Sequence, residues 1–340
     1  SGPVGYHAAL MESDEQPRAF RRHWDEIHDA ETFARLTGGG LKDVFRIDAG
    51  GSVYALRVYY DDVGADDVRE ELQLAAPFVE QLEEVPAPVQ TNDGEQLAVE
   101  NGRVAVLTRF IEGRRPDRSE PEERRAVAEL LANVHDVAAG IASPQPRAAV
   151  PAYADLDVRK NSLWSWADIE EHLSGREIGL AAVDSAGLHQ RLSDEIEALP
   201  ATLAELDALG LPTMPIHGDF FPGNLLWHDG RIAGLIDWDE CAVDWRALEV
   251  ANAAIEFSRS DGIHMDAELV RGFLRDYIAA GGEILDRERA AMLHLRQMRL
   301  LWETLYELGR ACRGATLDWA YLWGNLTSLD GVDDVFLEDG

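Results

Sequence analysis

Asp219, Asn224 and Asp237 are the residues most able to do chemistry. They lie with His217 and Asp239 in one stretch from Ile216 to Asp239, between short apolar runs. Asp229-Gly230 is a hairpin dipeptide, and Leu225-Leu226-Trp227 and Ile232 to Ile236 flank it, so the stretch reads as strand, loop, strand, turn, strand. A tight hairpin gathers Asp219, Asn224 and Asp237 at one end. Three oxygen-bearing side chains suit a hard cation such as Mg²⁺, which takes oxygen ligands beside substrate phosphates.

The spacing Asp219-x-x-x-x-Asn224 is that of the kinase catalytic loop, in which the Asp orients an acceptor hydroxyl and the Asn holds a metal. The order H-x-D, then N, then Ile236-Asp237-Trp238-Asp239 resembles the superfamily of aminoglycoside phosphotransferases and type II homoserine kinases. The resemblance implies a protein-kinase-like α+β fold with a small antiparallel sheet lobe, a larger helical lobe, and ATP in the cleft. It also implies that Asp219 is catalytic and that Asn224 and Asp237 are metal ligands. His217 has no partners at zinc spacing and reads as a structural ring that holds the loop.

Other elements must position these groups. Residues 17–36 place Phe20, Trp24, Ile27, Phe33 and Leu36 at helix-like intervals, which predicts one amphipathic helix. Residues 44–48 and 52–60 read as a hairpin across Ala49-Gly50-Gly51, and Asp66 to Leu82 as a helix. Residues 96–100 and 103–110 read as a second hairpin at Asn101-Gly102. Helices dominate from Pro121, interrupted by the central stretch, and end in a long apolar-faced helix from Asp286 to Arg313. The expected lobes are 17–110 for nucleotide and 111–335 for catalysis and acceptor.

Within the first lobe, Gly39 and Gly40 belong to a run that is either a plain turn or a phosphate loop, since glycine lets backbone N–H groups approach phosphate oxygens. The resemblance favours the loop. It also gives Arg57 the place where related kinases carry a phosphate-binding lysine, a substitution that is not neutral in geometry. Glu71 is then the partner of Arg57, and Thr108 and Phe110 fall where backbone groups meet adenine.

Beyond Asp237, the acidic run Asp239, Glu240, Asp244 and Glu249 fits either an ammonium-bearing acceptor or capping and solvated surface. Trp302 is an aromatic candidate for the acceptor wall. The activity expected is ATP- and Mg²⁺-dependent phosphorylation of a hydroxyl on a small, amine-bearing acceptor. The alternatives are a stress-response-type protein Ser/Thr kinase and a nucleotide-binding pseudokinase. The pseudokinase conflicts with the intact Asp219, Asn224 and Asp237.

Composition narrows the partners. A formal net charge of -32 argues against nucleic acid and anionic membrane. Two cysteines make neither a disulfide framework nor a zinc site. No run of about 18 apolar residues predicts a membrane span, and the first ten residues lack a signal-peptide pattern. Those features point to a cytoplasmic protein.

Overall fold

The computed structural model describes residues 15–38, 42–148, 150, 166–174, 185–259, 264–312, 316, 319–329 and 335–336. The chain forms two compact units. One comprises residues 1–73 and 85–112, and the other residues 74–84 and 113–340.

The first unit is built on a five-stranded antiparallel sheet. Its strands are β1 (Phe33–Gly38), β2 (Lys42–Ala49), β3 (Ser52–Tyr59), β4 (Ala98–Glu100) and β5 (Arg103–Arg109), in the order β1-β2-β3-β5-β4. Both hairpin turns have two consecutive residues in the left-handed region. These are Gly50 and Gly51 at φ 59° and 82°, and Asn101 and Gly102 at φ 52° and 82°. That geometry matches the right-handed twist of the flanking strands and explains the dipeptides chosen. Helix α2 (Ala65–Gln81) follows β3. Its Val68 and Leu72 pack with Tyr59, Val104 and Val106 on one sheet face. The other face carries Ile47, Leu56, Val58 and Leu107, packed with Phe20, Trp24 and Ile27.

The continuous helix expected over 17–36 is not formed. The segment begins with α1 (Glu15–Ala19), turns through two 3₁₀ pieces, Phe20–His23 and Asp25–Ile27, and ends in β1. Phe20, Trp24, Ile27 and Phe33 are buried as expected and Leu36 is exposed, and tertiary contacts override the helical period. Trp24 is extended at φ -135°, and its indole N–H donates to the Val89 carbonyl at 2.9 Å. Phe33 lies opposite Ile47 in the sheet, so strand pairing takes over the end of the segment. Gly39 and Gly40 lie outside the described residues.

The second unit is mostly helical. Its helices are α3 (Pro121–Ala139), α4 (Trp166–Ser174), α5 (Ser185–Ala208), α6 (Arg246–Ser258), α7 (Ala267–Ala279), α8 (Asp286–Cys312) and α9 (Trp319–Thr327). Helix α6 is buried on nearly every side and packs against α7, α8 and α3. Its apolar, small-residue sequence, Val250-Ala251-Asn252-Ala253-Ala254-Ile255, permits such encirclement. Between α5 and α6 run four strands in two antiparallel pairs. β6 (Thr213–Ile216) pairs with β9 (Ala242–Trp245), and β7 (Leu225–His228) pairs with β8 (Arg231–Leu235). The expected turn at Asp229-Gly230 is present, with φ 48° and 80°. Among the described residues no helix is long and apolar enough to cross a membrane.

Candidate active site

Strand β6 delivers His217, Gly218 and Asp219 at its C-terminal end. His217 is fully buried. Its Nδ1 accepts from the Asp219 N–H at 3.3 Å, which leaves Nε2 as the donor to the Ile236 carbonyl at 3.0 Å. Burial lowers the His217 pKa and keeps this neutral tautomer, against the pull of nearby carboxylates led by Glu249. The ring therefore ties the loop that carries Asp219 to the end of β8, as the sequence suggested.

Gly218 is required here. Its φ is +84°, and a Cβ would lie 2.1 Å from the Glu240 carbonyl oxygen. Its peptide groups are held by two helices. The N–H donates to Glu249 Oε1 on α6 at 2.8 Å, and the C=O accepts from Arg299 Nη1 on α8 at 2.8 Å. Glu249 Oε2 is in turn 2.9 Å from His135 Nε2, and His135 Nδ1 is 2.8 Å from the Tyr277 hydroxyl. Glu249, one member of the acidic run, is thus a buried brace for the loop.

Asp219 and Asn224 are adjacent. Asn224 Nδ2 donates to both the Asp219 carbonyl and Asp219 Oδ2, each at 2.9 Å. That arrangement leaves Asn224 Oδ1 as the atom able to meet a cation. The Ile236 N–H donates to the Asn224 carbonyl at 2.9 Å and brings Asp237 to the same end of the β7–β8 hairpin. Asp237 has φ 68°, an uncommon conformation for a residue with a side chain. Such residues cluster at functional sites, where the surroundings sustain the strain. Asn224 Oδ1 and the Asp237 carboxylate are the oxygen donors at this end of the hairpin that could hold a hard cation such as Mg²⁺. Among the described residues no group of three or more His, Cys, Asp or Glu side chains is placed to hold a metal ion.

The opposite side of Asp219 is occupied by Arg299, which the sequence reading missed. Its guanidinium lies 3.2 Å from Asp219 Oδ1, 3.2 Å from Glu240 Oε2 and 2.7 Å from Glu303 Oε1. Trp302, stacked on Tyr306, carries the guanidinium carbon 5.7 Å from its ring centroid. Burial pushes the Asp219 carboxyl up to about 6, countered chiefly by Arg299 and reinforced by Asp237. Glu240 rises to about 7 for the same leading reason, again opposed by Arg299. Glu303 goes the other way, because Arg299 and Arg296 outweigh its burial. The only sequence signal for Arg299 was a charged residue between Met298 and Leu300 on an apolar stripe; arginine is rarely buried unless paired.

The structure therefore brings Glu240 and Trp302 to Asp219 through Arg299. Asp239 and Asp244 are buried, at 8% and 2% exposed. The Asp244 carboxylate accepts from the Trp245 N–H at 2.7 Å on β9. In the first unit, Arg57 Nη1 meets Glu71 Oε1 at 2.8 Å, and the Tyr59 hydroxyl donates to Glu71 Oε2 at 2.9 Å. Thr108 pairs with Ala55 inside the sheet. The Phe110 N–H donates to the Val53 carbonyl at 2.9 Å, so the backbone donor expected there is already engaged.

Residues 32–293 match the profile of the phosphotransferase enzyme family. The chain belongs to that family. This phosphotransferase is 24% identical over 286 residues to a homoserine kinase of Zymomonas mobilis, covering 83% of this chain and 82% of that one. It is 29% identical over 259 residues to a homoserine kinase of Rhodopseudomonas palustris, covering 74% and 71%. Among solved structures, an amicoumacin kinase in complex with AMP-PNP and Ca²⁺ superposes with a TM-score of 0.70 at 15% identity, covering 95% of each chain. A microcompartment-associated aminopropanol kinase superposes with a TM-score of 0.64 at 18% identity, covering 91% of this chain and 94% of that one. The phosphotransferase thus has the protein-kinase-like α+β fold and is a small-molecule kinase acting on a hydroxyl.

Proposed function

We propose that this phosphotransferase transfers the γ-phosphate of ATP to the hydroxyl of a small amine-bearing acceptor of the homoserine type, with Mg²⁺ as cofactor. The observation that carries the reading is the acidic, partly buried surround of Asp219. Asp219, Glu240 and Glu303 converge on Arg299, Arg296 also approaches Glu303, and Asp237 adds a further negative charge beside Asp219. An acceptor ammonium offsets that excess better than a neutral group does. The resemblance to homoserine kinases and an aminopropanol kinase points to the same acceptor class.

In this account Asp219 orients the acceptor hydroxyl and takes up its proton as phosphoryl transfer proceeds. Arg299 and Asn224 fix the two carboxylate oxygens, so the base does not swing away from the attacking oxygen. Asn224 and Asp237 would hold Mg²⁺, which would supply charge neutralisation for phosphoryl transfer. Glu240, with the Trp302 ring nearby, attracts the acceptor ammonium, and the nearby Asp239 and Asp244 of the same run are buried. In the first unit the basic groups at Glu71, Arg57 among them, take the nucleotide phosphates. Chemistry of this kind rests on positioning and charge stabilisation.

An acceptor panel coupled to ADP release tests the reading. L-homoserine and aminopropanol are expected to be turned over, and a neutral polyol of matched length to be at least tenfold poorer in kcat/KM. Casein serves as the probe for protein-kinase activity. Equal efficiency with amine and neutral acceptors, or faster turnover of casein than of every small acceptor, would contradict it.

A further inference from the structure

The first unit holds a second buried cation beside Glu71. Lys42 opens β2 and follows the Gly38-Gly39-Gly40-Leu41 run in the chain; Lys160 is the one other lysine in the sequence. In the β2–β3 register Lys42 lies opposite Tyr59, and Val44 lies opposite Arg57. Side chains alternate along a strand, so Lys42, Arg57 and Tyr59 project from the same sheet face. That is the face on which α2 packs, since Tyr59 belongs to one core with Val68 and Leu72. The Lys42 Nζ stands 5.7 Å from the Tyr59 ring centroid, and Tyr59 donates to Glu71. Burial works to neutralise the Glu71 carboxyl, but Arg57 and then Lys42 prevail and lower its pKa.

Lys42 is 4% exposed and Glu71 is 2% exposed. Burying an ammonium is costly, and lysine is almost never found so deep unless a counter-charge holds it. Glu71 supplies one negative charge to two cations, Lys42 and Arg57. Arg57 places Nη1 on Glu71 Oε1 and holds the carboxylate in a fixed pose. An ammonium is the more compact point charge, with three rotatable donors, and suits a phosphate oxygen.

We propose that Lys42 is a phosphate-binding residue of the nucleotide site, the counterpart on β2 of the lysine that Arg57 replaces on β3. The Arg57–Glu71 pair positions it. This assignment rests on the ATP-dependent reading above and names a contact that reading does not supply.

Two measurements test it. The first treats the wild-type protein with an acyl phosphate of ATP. A neighbouring amine attacks the acyl carbonyl, an amide forms, the acyl–phosphate bond breaks and ATP departs. Peptide mass spectrometry assigns the amide to Lys42 or Lys160. The expected result is acylation of Lys42 that excess ADP suppresses tenfold or more. The second is calorimetric titration of Mg·ADP into Lys42→Met and Lys42→Arg. Lys42→Met is expected to bind at least tenfold more weakly than wild type, and Lys42→Arg to recover most of the affinity. The labelling uses unmodified protein, so a misfolded variant does not decide the outcome. An amide at Lys42 that ADP does not affect, or no amide there at all, overturns the assignment. So does a folded Lys42→Met that binds Mg·ADP within twofold of wild type. If wild type binds neither ATP nor ADP, the ATP-dependent reading falls and the role of Lys42 falls with it.

Discussion

Arg299 approaches Asp219 from the side opposite Asn224, its guanidinium 3.2 Å from Oδ1 while the Asn224 amide sits 2.9 Å from Oδ2. The same guanidinium donates to the Gly218 carbonyl at 2.8 Å, so one side chain of α8 fixes both the carboxylate and the backbone that carries it. Its planar fork serves several acceptors at once, which a lysine ammonium does not reproduce.

Arg299→Lys should therefore keep the charge and lose the geometry. A displacement of the order of 1 Å at a reacting group costs about 10²-fold in rate. The expected outcome is a fall in kcat of that order, with the melting temperature close to wild type and Mg·ATP affinity unchanged. Steady-state kinetics beside a thermal melt check this. Turnover at the wild-type rate would reduce Arg299 to a packing element.

Gly218 makes a separate prediction. Its left-handed φ and the nearby Glu240 carbonyl both oppose a side chain, whereas Gly51 has the comparable φ of +82° with nothing within 4 Å of a Cβ. Gly51→Ala is thus a measure of backbone strain alone, about 1 kcal/mol or more. Gly218→Ala should lose clearly more stability in urea titration and nearly all activity, since Asp219 must shift with the loop. Matching losses in the two variants would mean that the Glu240 carbonyl yields.

Acid stability should report on Glu71. A carboxylate with a lowered folded pKa binds its proton more weakly in the native state than in the unfolded chain. Its contribution is complete above the ordinary glutamate value of about 4.3 and is lost as pH falls through the folded value. Wild type should therefore lose more stability between about pH 5 and pH 3 than Glu71→Gln does. Urea midpoints across that range measure it. Parallel curves would place the Glu71 proton elsewhere.

Much of this site was legible in the sequence because its parts are local. The Asp219–Asn224 spacing, the Asp229-Gly230 turn and the apolar runs of β7 and β8 lie within a few residues of one another, and short-range geometry determines how they meet. Asn101-Gly102 and Gly50-Gly51 specified the hairpins of the first unit for the same reason. Arg299 was hidden because it is 80 residues from Asp219, and nothing in the pattern of α8 says which face meets the loop. Glu249 read as part of an acidic run, although its burial and its bonds to Gly218 and His135 make it a brace. In residues 17–36 the apolar period was correct for the burial of Phe20, Trp24, Ile27 and Phe33, but not of Leu36, and wrong for the element, since Phe20, Trp24 and Ile27 satisfy a sheet face without a helix.

The most direct test is single-turnover phosphoryl transfer from labelled ATP to L-homoserine, by wild type and by Asp219→Ala, each with its Mg·ATP affinity measured alongside. A positioned base contributes about 10²- to 10⁴-fold. The account predicts that phosphohomoserine forms with wild type, and that Asp219→Ala binds Mg·ATP normally and transfers at least 100-fold more slowly, in line with that range. Transfer by Asp219→Ala within tenfold of wild type would contradict it.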